Sequence, residues 1–140
     1  MLRKKQLTKE QLIALLRNWD EDNVVRENLR IKAQGEIFTP TALVNEILDK
    51  MPVEQFTDVS KTFLDPSCGN GQFLSEILIR KLESGIDFED ALKTIYGVDI
   101  MLDNIFICQN RLLCGVEELR HIVEKNIVCA DALSYDYCFE

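Results

Sequence analysis

Residues 64–74 combine an acid, a tight turn and two glycines at the point where a strand is predicted to become a helix. Gly69 and Gly71 have no Cβ, so their backbone can adopt positive φ and a ligand can approach the amides at the helix start. Asp65 would lie at the carboxyl end of the strand, where open α/β sheets bind their ligands. This combination predicts a nucleotide-type cofactor site.

Two regular elements are predicted to position this loop. Residues 59–64 are apolar and β-branched, which is typical of a buried parallel strand. Residues 73–82 have apolar side chains at helical spacing, which predicts a helix with one face on the sheet: Leu74, Ile77, Leu78 and Leu82.

Two other glycine-rich loops are disfavoured by the residues themselves. A phosphate-binding P-loop requires Lys and then Ser or Thr after its last glycine, whereas Gln72 and Phe73 follow Gly71. The dinucleotide fingerprint requires a small residue where this chain has Leu74, and an acid roughly 20 residues further on. The candidate acid here, Asp99, comes 28 positions after Gly71.

The remaining loop type resembles the first motif of a known family, the adenine-specific DNA methyltransferases, which use S-adenosylmethionine to methylate the N6 amino group of adenine. The matching residues are Asp65-Pro66-Ser67-Cys68-Gly69-Asn70-Gly71. Upstream, residues 35–40 resemble the Gly-x-x-Phe/Tyr-Thr-Pro segment that precedes this loop in type I and related type II modification enzymes.

This upstream segment also predicts a helix start. Thr39 and Pro40 place a hydroxyl and a ring with fixed φ at a first helical turn, whose amides are suited to hold a carboxylate. The helix is predicted to end at Pro52, with one apolar face formed by Leu43, Val44, Ile47, Leu48 and Met51.

Two further acids follow predicted strands. Residues 94–100 predict a second strand ending in Asp99, with a helix from about Leu102 to Leu113, and residues 126–131 predict a third strand ending in Asp131. Singly, such an acid is more often a turn former or helix cap, but two in succession beside the Asp65 loop favour a site. The resemblance implies that Asp99 holds the ribose hydroxyls and that Asp131 pairs with the exocyclic amine of the cofactor's adenine.

The resemblance therefore implies S-adenosylmethionine as the cofactor, and no metal site is expected. The expected cofactor-binding residues are Phe38, Thr39, Pro40, Asp65, Pro66, Ser67, Gly69, Gly71, Phe73, Asp99, Ile100, Asp131 and Ala132.

No catalytic residue is expected in this chain. In the family, an Asn/Asp-Pro-Pro-Tyr/Phe segment after the fourth strand holds the flipped-out adenine. The prolines here are Pro40, Pro52 and Pro66, no two of them adjacent, and only nine residues follow Asp131. The net charge of −8 disfavours binding to phosphates. Contact with DNA is therefore expected only through a partner chain or a missing carboxy-terminal part.

The expected fold class is α/β, an incomplete Rossmann-like class I methyltransferase fold with three parallel strands in the order 3-2-1 and flanking helices. An amino-terminal helical segment, residues 1–34, would precede the cofactor-binding domain, residues 35–140. A capping box at Thr8 predicts a helix there with one stripe: Leu12, Leu15, Leu16 and Trp19. The first strand would be an open edge, which favours a homodimer or a heteromer.

Composition bounds the remaining possibilities. The chain has 140 residues, 46% of them hydrophobic and 29% charged, which is typical of one soluble domain. It has no apolar run of the roughly 20 residues needed to span a bilayer and no signal-peptide pattern, so a cytoplasmic location is expected. Five cysteines without a C-x-x-C pair and one histidine disfavour zinc and indicate buried free thiols such as Cys108 and Cys129, with His121 on the surface. Residues 20–23 resemble a calcium loop, but Val25 and Ile31 occupy its required Gly and Glu positions.

Three functions remain open at this point. The first is the cofactor-binding part of an adenine-specific DNA methyltransferase, inactive alone. The second is a non-catalytic S-adenosylmethionine-binding regulator or decoy related to restriction–modification systems. The third is a methyltransferase acting on another class of substrate, which the segment Phe38-Thr39-Pro40 disfavours.

Overall fold

The computed structural model describes residues 6–19 and 39–138. Within these residues the helices are α1 (Lys9–Arg17), α2 (Thr41–Asp49), α3 (Glu54–Thr57), α4 (Gln72–Glu83), α5 (Phe88–Lys93), α6 (Leu102–Leu113), a short 3₁₀ turn (Glu117–Leu119) and α7 (Arg120–Asn126). The strands are β1 (Phe63–Asp65), β2 (Ile95–Asp99) and β3 (Ile127–Cys129). Across this described part, no helix is long and apolar enough to cross a membrane.

The three strands form one parallel sheet with β2 in the centre. The register pairs Asp65 with Gly97 and Asp99 with Cys129, so the strands are staggered along the sheet. The strand order is β1-β2-β3, which is the predicted order 3-2-1 read from the opposite edge. The predicted α/β class with three parallel strands is confirmed. The predicted boundary between residues 34 and 35, and residues 20–23, which resemble the start of a calcium loop, lie outside the described residues.

The first strand is shorter than the sequence predicts. Residues 59–62 were expected to be part of it, but β1 begins at Phe63, and Val59 is 51% exposed. The reason is a local turn: the Asp58 carboxylate accepts hydrogen bonds from the backbone and hydroxyl of Ser60, and Lys61 N donates to Asp58 O. These bonds hold the backbone away from the sheet.

Helix α4 carries the main core face. Its four predicted contact residues, Leu74, Ile77, Leu78 and Leu82, are all buried. The helix packs on β2 and is covered on its outer side by α1 and α2. Its C-cap is Ser84, after which Gly85 has a φ of +98°. The predicted bounds of α6 are confirmed.

The two covering helices bury faces that differ from the predicted ones. In α1 the predicted capping box at Thr8 is present and Leu12 and Leu16 are buried, but Leu15 is 48% exposed. In α2 only two of the predicted positions, Val44 and Leu48, are buried, whereas Leu43, Ile47 and Met51 are exposed. Both helices pack on α4. In α1 the structure also buries Ile13, so the buried face is shifted from the predicted stripe, whereas the buried face of α2 is narrower than predicted.

A buried lysine joins the amino ends of β1 and β2. Lys81 of α4 is fully buried, and its Nζ donates to Lys61 O at 2.8 Å and to Thr94 Oγ1 at 2.9 Å. The ammonium also lies 5.2 Å from the centre of the Phe63 ring. Because Lys61 and Thr94 precede the two strands, this contact fixes their alignment at the edge opposite Asp65 and Asp99.

Candidate cofactor-binding site

Asp65 and Asp99 end neighbouring parallel strands, so the sheet brings both acids to its carboxyl edge. Asp65 Oδ1 accepts a hydrogen bond from Ser67 N at 3.0 Å, which closes the first turn of the loop. Burial raises the pKa of the Asp65 carboxyl above its usual value, the Ser67 bond opposes the rise, and the charge of Asp99 adds to it. The site therefore holds two carboxylates close enough to repel each other.

The Asp99 carboxylate is held in one orientation by its own chain. Asp99 is 8% exposed, and its Oδ2 accepts hydrogen bonds from Met101 N at 3.1 Å and from Asn104 Nδ2 at 3.0 Å. Asn104 is itself buried in the first turn of α6. Sequence reasoning missed this residue, although its position five residues after the acid, in the following helix, was a usable signal.

The loop between Asp65 and α4 depends on two glycines in the left-handed region. Gly69 has a φ of +54° and Gly71 a φ of +98°, conformations that side chains disfavour. Gly71 N donates to Cys68 O at 2.9 Å, and Gly71 is the N-cap of α4. Within the described residues no side chain caps this helix start. Its first amides are therefore available to an anionic group.

The loop is supported from below by β2 and α6. Cys68 N donates to Val98 O at 2.9 Å, which continues the strand pairing into the loop. A Cβ at Gly97 would lie 2.8 Å from Leu74 Cδ1 and 3.0 Å from Cys68 Sγ, and a Cβ at Gly71 would lie 3.1 Å from Cys108 Sγ. Both glycines are required for this close approach. Gly97, inside a predicted strand, was not singled out from the sequence.

The cysteines near the loop are packing residues. Cys68 and Cys108 are buried, and a hydrogen bond with Cys108, together with burial, raises the pKa of the Cys68 thiol. A neutral buried thiol is a poor nucleophile. The predicted burial of Cys108 is confirmed, but Cys129 is exposed, because its strand residue lies at the sheet edge. His121 is exposed, as predicted.

Asp131 lies beyond the third strand and not at its last position. The prediction that the strand covers residues 126–131 is wrong at both ends, because Asn126 belongs to α7 and β3 ends at Cys129. Ala130 N donates to Asp99 O at 3.0 Å, which holds the segment beside the end of β2. Asp131 is exposed and its Oδ1 accepts from Leu133 N at 3.0 Å, so its carboxylate also forms a turn. The neighbouring Ala132 O accepts from the Tyr137 hydroxyl.

The remaining predicted residues lie around this edge to different degrees. Ile100, directly after Asp99, is 67% exposed, whereas Phe73 in the first turn of α4 is half-buried. Pro66 and Ser67 are exposed in the loop. Phe38 lies outside the described residues.

The Thr39-Pro40 segment begins α2, but not with the predicted cap. Pro40 is the N-cap, and among the described residues no side-chain hydrogen bond caps the helix. Asp49 near the end of α2 binds Arg80 of α4, and Thr41 shares a cavity of about 530 Å³ with Glu76. The described contacts therefore place α2 beside α4.

The described residues were also compared with two other kinds of binding site, a cavity away from this edge and a metal centre. A cavity of about 820 Å³ lies between α1 and the links at Asp87 and Gly115, and it contains none of the predicted site residues. In the residues that the structure covers, no group of three or more His, Cys, Asp or Glu side chains is placed to hold a metal ion.

Comparison with known proteins defines the class to which this α/β domain belongs. Residues 25–138 match the family model described as N-6 DNA Methylase. This match covers most of the chain, and the chain therefore belongs to the N-6 DNA methylase family.

A curated relative is Type II methyltransferase M.VspI from Vibrio sp. (strain 343), which is 34% identical over 110 residues. The aligned region is 76% of this chain and 22% of that protein, so the chain spans under a quarter of the length of its relative. No solved structure gives a significant match.

Proposed function

We propose that this chain is the S-adenosylmethionine-binding part of an adenine-specific DNA N6-methyltransferase. The observation that carries the proposal is the pair of carboxylates, Asp65 and Asp99, on either side of a glycine loop that opens into an uncapped helix. Membership of the N-6 DNA methylase family supports methyl transfer to DNA. We also propose that the protein belongs to a restriction–modification system and acts in the cytoplasm.

The fit of the methyl donor is supported by the polarity of this edge. Asp99 is already oriented by Met101 N and Asn104 through Oδ2, and a fixed carboxylate can accept two ribose hydroxyls at once. The amides at the start of α4 suit the carboxylate of the donor's amino-acid end. Asp131, beside the end of β2, would accept from the adenine amine, and exposed Ile100 would lie against the adenine ring.

The residues of this chain would bind and orient the donor, whose sulfonium supplies the methyl group. Repulsion between Asp65 and Asp99 would be relieved by the positive charge of that sulfonium. The remaining expected contacts are Phe38, Thr39, Pro40, Pro66, Ser67, Gly69, Gly71, Phe73 and Ala132. These 140 residues contain no adjacent prolines, so the residues that hold the target adenine would lie outside them.

Those outside residues would reach the site across β1. In the described residues β1 pairs with β2 on one side, and Leu64 is 46% exposed. An unpaired apolar edge favours the addition of a strand from another part of the protein or another chain. We propose that a second copy, or a chain carrying the catalytic residues, pairs here, and that the chain with the catalytic residues would bring the DNA contacts.

The ribose assignment is tested with Asp99→Asn, which keeps the side-chain shape and removes the charge. Calorimetry with S-adenosylhomocysteine should show binding weakened at least tenfold, and the matched control Asp90→Asn on α5 should bind normally. Equal affinities in the wild type and Asp99→Asn would contradict the role of Asp99.

A second candidate is a non-catalytic S-adenosylmethionine-binding regulator or decoy. It is favoured by the net charge of −8, since an acidic surface repels DNA. A methylation assay on adenine-containing DNA separates the two functions. Activity that appears when a catalytic partner is added supports the first, and inhibition of an active methyltransferase by this chain supports the second.

A further inference from the structure

The amide of Asn70 is buried within the cofactor loop without a partner. Asn70 is fully buried, and in the part of the chain that the structure describes neither its Oδ1 nor its Nδ2 has a hydrogen-bond partner. A buried amide without a hydrogen-bond partner destabilises the fold. Since both of its polar atoms are unpaired, the assignment of O and N does not affect this conclusion.

A second unpaired atom lies two residues further on. Gln72 is the first residue of α4, and its Oε1 is also buried without a partner among the described residues. Together the two side chains present one donor, Asn70 Nδ2, and two acceptors, Asn70 Oδ1 and Gln72 Oε1. The uncapped amides at the start of α4 follow directly along the chain and add further donors.

The backbone of Asn70 is held by a contact from α6. Arg111 of α6 is buried, and its Nη1 donates to Asn70 O at 3.4 Å. The guanidinium lies 5.5 Å from the centre of the Trp19 ring, and Arg111 Cδ would lie 3.7 Å from a Cβ at Gly71. These contacts fix the main chain of the loop tip, so the Asn70 side chain is not needed to form the turn.

We propose that Asn70 is a specificity-determining residue for the amino-acid end of the methyl donor, with Gln72 assisting and Arg111 positioning the loop. A zwitterionic amino acid offers a carboxylate that needs donors and an ammonium that needs acceptors. Asn70 Nδ2 and the α4 amides supply the donors, and the two amide oxygens supply the acceptors. This inference rests on the proposed function, since it requires that the loop binds S-adenosylmethionine.

The test compares two ligands that differ only at this end. S-adenosylhomocysteine carries the amino-acid end, and 5′-methylthioadenosine lacks it. By calorimetry on the full chain, Asn70→Leu should lower the affinity for S-adenosylhomocysteine at least tenfold and keep the affinity for 5′-methylthioadenosine within about twofold of the wild type. Gln72→Leu should show the same selectivity to a smaller degree. The control is Asn126→Leu, which removes a buried amide bonded to Leu92 O at the far edge of the sheet. It should leave the ratio of the two ligand affinities unchanged.

Arg111 has its own readout. Arg111→Ala should weaken binding of both ligands, because it releases the whole loop, and Arg111→Lys should restore part of that affinity for both. Loss confined to S-adenosylhomocysteine would contradict a positioning role.

Stability separates ligand binding from a structural role. Because Asn70→Leu removes an unpaired amide, the ligand-free variant should unfold at the same temperature as the wild type or higher. A lower unfolding temperature with an unchanged ratio of affinities would mean that Asn70 holds an ordered water only, and would overturn the inference. If the wild type binds neither ligand, the proposed function itself fails. If the wild type binds both ligands and Asn70→Leu changes neither affinity, this inference fails and the proposed function stands.

Discussion

Gly97 of β2 lies against Leu74 of α4 so closely that a Cβ at Gly97 would be 2.8 Å from Leu74 Cδ1. This contact sets the distance between the central strand and the helix that follows the glycine loop. The loop residue Cys68 lies in the same contact, at 3.0 Å from that position. The spacing of the candidate site therefore depends on a residue with no side chain.

Replacement of Gly97 should push α4 and the loop away from the sheet. Gly97→Ala is expected to lower the free energy of unfolding by about 1–3 kcal/mol, the usual cost of overpacking a core. Urea unfolding measures this cost. Leu74→Ala in the Gly97→Ala background should recover part of it, and strictly additive effects of the two changes would contradict the contact.

Asp65 should reduce stability at neutral pH. Its folded pKa is raised by burial and by Asp99, so folding favours the neutral carboxyl. Stability should fall as pH rises from about 3.9, the unfolded pKa, through the raised folded value. Asp65→Asn should therefore be more stable than the wild type at pH 7, with a smaller difference at pH 4. Urea unfolding of Asp65→Asn and of the exposed control Asp90→Asn measures this difference. A gain that is independent of pH would contradict it.

Lys81 should show the opposite dependence. Burial lowers the pKa of its ammonium, so its protonated form is disfavoured in the folded state. The wild type should gain stability relative to Lys81→Met as pH rises through the lowered folded pKa towards about 10.4, the unfolded value. Chemical unfolding at pH 7 and pH 10 measures the change, with exposed Lys93→Met as the control. A relative loss of wild-type stability at pH 10 would be the contrary result.

The exposed edge of β1 should mediate association. Sedimentation of the wild type is expected to show concentration-dependent assembly through the strand that contains Leu64. Leu64→Lys should abolish it, because a charge on an edge strand opposes pairing. Val53→Lys, at another exposed apolar residue, should not. A wild type that stays monomeric at high concentration and does not bind a partner chain would contradict this use of the edge.

The elements with local signals could be predicted from the sequence, and those set by long-range contacts could not. The periodicity in residues 73–82 and 102–113 gave both helices, and parallel pairing brought the ends of β1 and β2 together, as expected from their order. The start of β1 was missed because the bonds between Asp58 and Ser60 depend on side-chain geometry.

The supports of the site were the least predictable part. Asn104, Arg111 and Gly97 look like ordinary helix and strand residues in the sequence. Their contacts with Asp99, Asn70 and Leu74 appear only when α6 and α4 pack on β2. Exposed Leu15 and Leu43 show the same limit, since periodicity identifies an apolar face but not its width.

Calorimetric titration of the chain with S-adenosylhomocysteine tests the central claim most directly. The account predicts saturable binding of one ligand per chain and a rise in the unfolding temperature on saturation. A titration with no heat and no change in unfolding temperature at millimolar ligand would contradict the assignment of the Asp65 loop as a cofactor site.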